Sequence, residues 1–149
     1  MFEELTRQSL PTPEYRELVG MAVCVFNANN AFIIENIVRE SKNVSLWYTL
    51  VDSNSRDLCR WIRKYLPDEF FDITELFDEI VTQRNRIVHS FQYTTGDGQQ
   101  ELMTKEKIQE GNKQFPINEE YLKEFIRLNN RLNQRLDDFR IMSNEQIFE

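Results

Sequence analysis

Apolar positions recur along this chain at helical spacing in four long runs, separated by polar or proline-bearing breaks. The first run extends from about 13 to 40. Thr12 stands where an N-cap belongs and Pro13 at the first helical position, where a missing amide hydrogen costs nothing. Leu18, Met21, Val23, Val25, Phe26, Phe32, Ile33, Ile34 and Ile37 wrap more than half of this helix, so coverage on two sides is expected. A second run reaches Leu66, with Asn43 to Ser45 as its cap. Trp47, Leu50, Val51, Leu58, Trp61, Ile62 and Tyr65 share one face of it. Ser53-Asn54-Ser55 bends or breaks this helix, because these side chains compete for backbone partners.

The third run begins at about Asp72 and carries Ile73, Leu76, Phe77, Ile80, Val81, Ile87, Val88 and Phe91 on one arc. Beyond His89 the period changes. Phe91 to Thr95 and Gln99 to Thr104 read as two short strands around Gly96-Asp97-Gly98, followed by a polar connection from Lys105 to Gln114. Ile117 and Leu122 flank Asn118 as a hydrophobic staple around an N-cap. The last helix covers about 119 to 141, with Leu122, Phe125, Ile126, Leu132, Leu136 and Phe139 inward. The expected fold is all-α: one domain over 1–149, a four-to-five-helix up-and-down bundle with a short β-hairpin-like insertion at about 91–115.

Composition narrows the chemistry. A net charge of −7 argues against nonspecific coating of nucleic acid, whose affinity comes from Lys and Arg neutralising phosphates. The densest basic group, Arg56, Arg60, Arg63 and Lys64, reads as a solvated helix face. Cys24 and Cys59 lack metal-ligand spacing and read as buried small hydrophobes in a reducing compartment. The single histidine cannot build a His/Cys zinc site with them, and no phosphate-cradling glycine loop or nucleophile elbow is present. Glu75, Asp78 and Glu79 read as an exposed helix side. No cofactor is expected. The start of the chain lacks a signal-peptide pattern and no stretch reads as membrane-spanning, so a cytoplasmic location is expected. Asn27, Asn29 and Asn30, weak helix formers, mark a kink, a hydrogen-bonded core polar group or the lining of a groove or dimer seam.

Two features of the third helix stand out. Arg84 falls near the middle of the apolar arc, where a guanidinium is costly without partners or water. Asn85 and His89, four apart, share a flank of the same helix. Histidine exchanges protons near neutrality, arginine stabilises a charged phosphorane, and asparagine orients either. Such a set can promote attack of a ribose 2′-hydroxyl on the adjacent phosphodiester without a metal. One set is thin for an active site, but a two-fold axis would supply two.

Arg84-Asn85-x-x-x-His89 resembles the signature of the HEPN superfamily (higher eukaryotes and prokaryotes nucleotide-binding), which falls late in a helix of a helical bundle. The resemblance implies a metal-independent endoribonuclease that dimerises through the motif-bearing helix and acts as a toxin or in abortive infection or other defence. RNA would be the substrate, and an antitoxin or regulatory protein a further partner. His89 would be the acid/base group, Arg84 the phosphate contact and Asn85 the orienting neighbour; Arg86 has no fixed role. Some toxin members carry a tyrosine two positions past the histidine that a partner nucleotidyltransferase modifies. Phe91 stands there, with Tyr93 two further on, so regulation by that route is not expected. The alternative is a HEPN-like module without catalysis, binding nucleotide, RNA or protein through the same surface.

Overall fold

The computed structural model describes residues 1–147. Five helices account for most of the chain: α1 (Pro13–Ser41), α2 (Leu46–Val51), α3 (Leu58–Tyr65), α4 (Asp72–Val88) and α5 (Glu119–Ile147). Between α4 and α5 lies an antiparallel sheet in the order β1 (Phe91–Thr94), β2 (Gln100–Lys105), β3 (Gln114–Ile117). The chain is mostly helical and carries a small sheet, so the all-helical expectation is corrected by one strand. Gln114 to Ile117, read as the end of a polar connection and the start of a staple, pairs with β2, Leu102 facing Ile117 and Thr104 facing Phe115. Four residues hold too little alternation to announce a strand, and Pro116 argued against one; at the sheet edge its missing amide is tolerated.

Local signals explain most element boundaries. The Thr12 hydroxyl accepts the Tyr15 amide at 3.3 Å, opening α1, and Lys42 ends it in the left-handed region. The Asn118 side chain accepts the Tyr121 amide at 2.8 Å, while Ile117 and Leu122 are fully buried on either side. Gly98, at φ 85°, completes the β1–β2 turn, a conformation that glycine reaches without steric penalty. The second predicted helix breaks at Ser53-Asn54 into α2 and α3; the Asn54 carboxamide accepts the Arg56 amide and starts a short 3-10 turn. The expected cap at Ser45 does not form, because its hydroxyl donates to Asn43 instead. α5 continues past the predicted end near 141.

One apolar cluster draws residues from all five helices and from β3. α5 packs chiefly against α1 and α4, and its expected inward residues are buried except Ile126, which is half-buried. On α1, Phe26, Ile33, Ile34 and Ile37 are buried, whereas Met21, Val23 and Cys24 are exposed. Cys24 is therefore not the core residue expected. Cys59 is half-buried and both thiols are free. Trp47, Val51 and Val88 also face outward, contrary to the periodicity. By length and composition α1 is long and apolar enough to cross a membrane, although no stretch was expected to read that way.

Several polar groups inside the bundle are paired, while Asn36 Nδ2 and the Tyr121 hydroxyl are enclosed without a partner. Asn29 donates to the Asn129 carbonyl at 2.8 Å and to its side-chain oxygen at 3.1 Å, and Asn129 donates to the Phe125 carbonyl. Arg140 donates twice to the Asn36 oxygen, at 2.9 and 2.8 Å. Of the three asparagines noted in α1, then, Asn29 is the hydrogen-bonded core group. Asn30 accepts the Ser55 hydroxyl at 2.9 Å, and Asn27 is exposed.

The sheet is fixed to the bundle by one phenol. Buried Tyr15 donates its hydroxyl proton to the Ile117 carbonyl on β3 and accepts the Leu102 amide of β2 at 2.9 Å. Burial pushes its pKa up, so it remains a donor well beyond neutral pH. Tyr15→Phe keeps the ring and orphans both backbone groups. It is expected to cost about 1–3 kcal/mol in urea unfolding, with the largest loss of hydrogen-exchange protection at Leu102.

Candidate functional site

α4 turns its faces to two different environments. Ile73, Phe77, Ile80, Val81 and Ile87 enter the core. Asn85 and His89, one turn apart, open onto a cleft of 480 Å³ between the end of α4 and the sheet. His89 follows the last helical residue. Its amide donates to the Asn85 carbonyl at 3.0 Å, and its exposed ring faces the cleft. Phe91, 46% exposed, stands beside it.

The rest of the lining is mainly cationic: Arg56, Arg86, Lys105 and Lys107, with Glu110 as the acid. Arg56 belongs to the group read as a solvated helix face. The α2–α3 break instead swings it across to α4, where it meets Asp78 at 3.2 Å and donates to the Thr82 hydroxyl at 3.0 Å. Arg60, Arg63 and Lys64 stay on the outside. Arg86 reaches Glu110 at 3.7 Å and lies over the Phe115 ring. Lys105 donates to the Asn112 side chain at 2.7 Å and to the Glu106 carbonyl at 3.2 Å, both uncharged acceptors. Among the described residues neither Lys105 nor Lys107 has an acidic partner within ion-pair distance.

Arg84 is elsewhere. Five residues from His89, it is turned about 140° around the helix axis. Its guanidinium lies 4.6 Å from the centre of the Phe26 ring on α1. It is half-buried, its Nε is enclosed without a hydrogen-bond partner, and desolvation lowers its pKa from the usual guanidinium range. The anomaly expected from the apolar arc is thus real, and an aromatic face partly offsets it. Within one chain the cleft brings Asn85 and His89 together and leaves Arg84 out.

Lys105, Lys107, Arg56 and Glu110 were not singled out by sequence as site residues. Their convergence depends on contacts between segments far apart in the chain, from 56 to 110. The only local sign was two lysines at the end of a strand-like run. Glu75, Asp78 and Glu79 are exposed, and no group of metal-ligating side chains occurs among the described residues. Comparison with family models, curated proteins and solved structures finds no match for this chain.

An arginine that is half-buried without an acid is a liability for stability. Arg84→Met keeps the stem's contact with Phe26 and removes the desolvated charge. Its melting temperature is expected to equal or exceed that of the parent in a thermal scan; a large drop would show that the charge itself holds the bundle together.

Proposed function

We propose that this chain is a metal-independent endoribonuclease of the HEPN type, built on that family's up-and-down helical bundle. The observation that carries the proposal is the opening of Asn85 and His89 into a cleft lined by four cations, in a protein whose net charge is −7. Asp78 and Glu110 face two of these cations, and the other two leave the cleft with an excess of positive charge that suits an anion. A ribose 2′-hydroxyl loses its proton to His89 as the 2′ oxygen–phosphorus bond forms. The bond from phosphorus to the 5′ oxygen breaks, leaving a cyclic phosphate, and the departing oxygen takes a proton from the histidine of a second copy. Arginines carry the charge that develops on the phosphoryl oxygens.

Arg84 enters through assembly. Two chains meeting along α4, where exposed Val88 offers apolar area, bring the Arg84 side of one helix towards the cleft of the other. The site then holds two histidines and both kinds of arginine. Such an enzyme would act in the cytoplasm as a toxin or defence component, held in check by an antitoxin or regulatory protein. One observation favours the other reading, a module that binds nucleotide, RNA or protein without cleaving it. Arg84 is packed on Phe26 and reaches no part of the cleft within its own chain.

Incubation with RNA in EDTA separates the two. Wild-type protein is expected to cleave and His89→Ala to lose about a hundredfold or more in rate, the scale of general acid–base catalysis. Equal cleavage by the mutant would overturn the assignment of His89, and no cleavage of any RNA would favour the binding module. Light scattering is expected to give about twice the 18.0 kDa chain mass. An active monomer would remove the shared site.

A further inference from the structure

Arg56 and Arg86 each face a carboxylate, from Asp78 and Glu110. The cations of the cleft without such a partner among the described residues, Lys105 and Lys107, both belong to the segment between α4 and α5. So does Phe91, whose ring is half out in solvent beside His89. The chain also holds Lys105 in place at some conformational expense. Gly111 and Asn112 both take positive φ, 115° and 60°, and the Asn112 side chain binds the Lys105 ammonium. Asparagine tolerates that backbone region better than most residues.

We propose that this sheet segment is the substrate grip of the cleft: Lys105 and Lys107 hold successive phosphates of single-stranded RNA, and an unstacked base lies on Phe91. This rests on the ribonuclease reading for its ligand but assigns new residues and gives the insertion a task. Free cations at an open cleft serve a phosphate backbone, because each neutralised phosphate releases condensed counterions. An exposed phenylalanine serves a base whose face is free, which a duplex does not present. Asn85 and His89, across the cleft on α4, then meet the sugar and phosphate next to the stacked base.

The test uses full-length His89→Ala protein, which preserves the fold and does not consume the probe, with a fluorescein-labelled eight-nucleotide single-stranded RNA. Anisotropy titrations between 50 and 200 mM salt are run on this parent and on versions carrying Lys105→Gln with Lys107→Gln, or Phe91→Leu. Circular dichroism checks that each is folded. Loss of two phosphate contacts is expected to flatten the slope of log affinity against log salt by about 1.4. Phe91→Leu is expected to weaken single-strand binding about tenfold with an unchanged slope, and to leave binding of a blunt RNA duplex unaltered. Parent affinity and slope in the double-lysine variant would overturn the proposal, as would a parent that binds no RNA. The two readings fail separately. Binding that depends on these residues in a protein that never cleaves RNA would refute the ribonuclease and keep the grip. Cleavage with unaltered kcat/KM after Lys105→Gln and Lys107→Gln in the active protein would refute the grip and keep the ribonuclease.

Discussion

The Tyr15 hydroxyl stands between the two halves of this molecule. It donates to β3 and accepts from β2, so one side chain from the first turns of α1 satisfies backbone groups on two strands. A three-stranded sheet of four to six residues per strand cannot hold its own position; it needs a surface to lie on. Tyr15, with Ile117 buried beneath the sheet, provides that attachment. The cleft exists only because the sheet is held at this place relative to the end of α4. The position of the sheet beside His89 is therefore set in part from a residue 74 positions earlier, through a phenol whose pKa burial raises further above neutrality.

Two kinds of polar group have been placed in the helical layer, and they differ in how fully they are satisfied. Asn29 donates from α1 to the backbone and side-chain oxygens of Asn129 on α5, which fixes the register of two helices of 29 residues each. Arg84 is left with an enclosed, unpaired Nε over an aromatic ring. Paired polar groups are what helix packing selects. An unpaired charge at a position that could have been leucine costs stability. Asn36 Nδ2 and the Tyr121 hydroxyl are enclosed without a partner as well, and Arg84 differs from them in carrying a charge with no acidic partner among the described residues.

Helix existence was legible because 3.6-residue periodicity repeats over many turns in α1, α4 and α5, and because Thr12, Asn118 and Ser53-Asn54 act through their own neighbours. The third strand was not legible: its partner on β2 supplies the pairing that four residues cannot encode alone. Outward Val88 and Trp47 were misplaced because periodicity names a face and not what covers it. At the site, the pairing of Asn85 with His89 follows from spacing on one helix. Arg84 was expected in one set with Asn85 and His89, a second set coming from a two-fold axis, whereas the structure turns it towards Phe26 and leaves it out of the cleft. Arg56, Lys105 and Lys107 lay beyond reach, since a helix break and a sheet had to bring them to α4.

Charge distribution gives the cleft its character. At physiological salt, fields between exposed charges fade over about 8 Å, so an RNA strand approaching this acidic protein meets weak repulsion over most of the surface. Within the cleft, the cations without an acidic partner, Lys105 and Lys107, act over only a few ångströms. A grip of the proposed size would saturate with two or three nucleotides and gain nothing from length, unlike a basic protein that coats its ligand. Selection among RNAs would then fall to local features, namely an unpaired base and a sugar–phosphate link free to bend into line beside His89. On the proposed reading, an acidic exterior around a small basic cleft would let the protein act on RNA without being sequestered by the bulk of it.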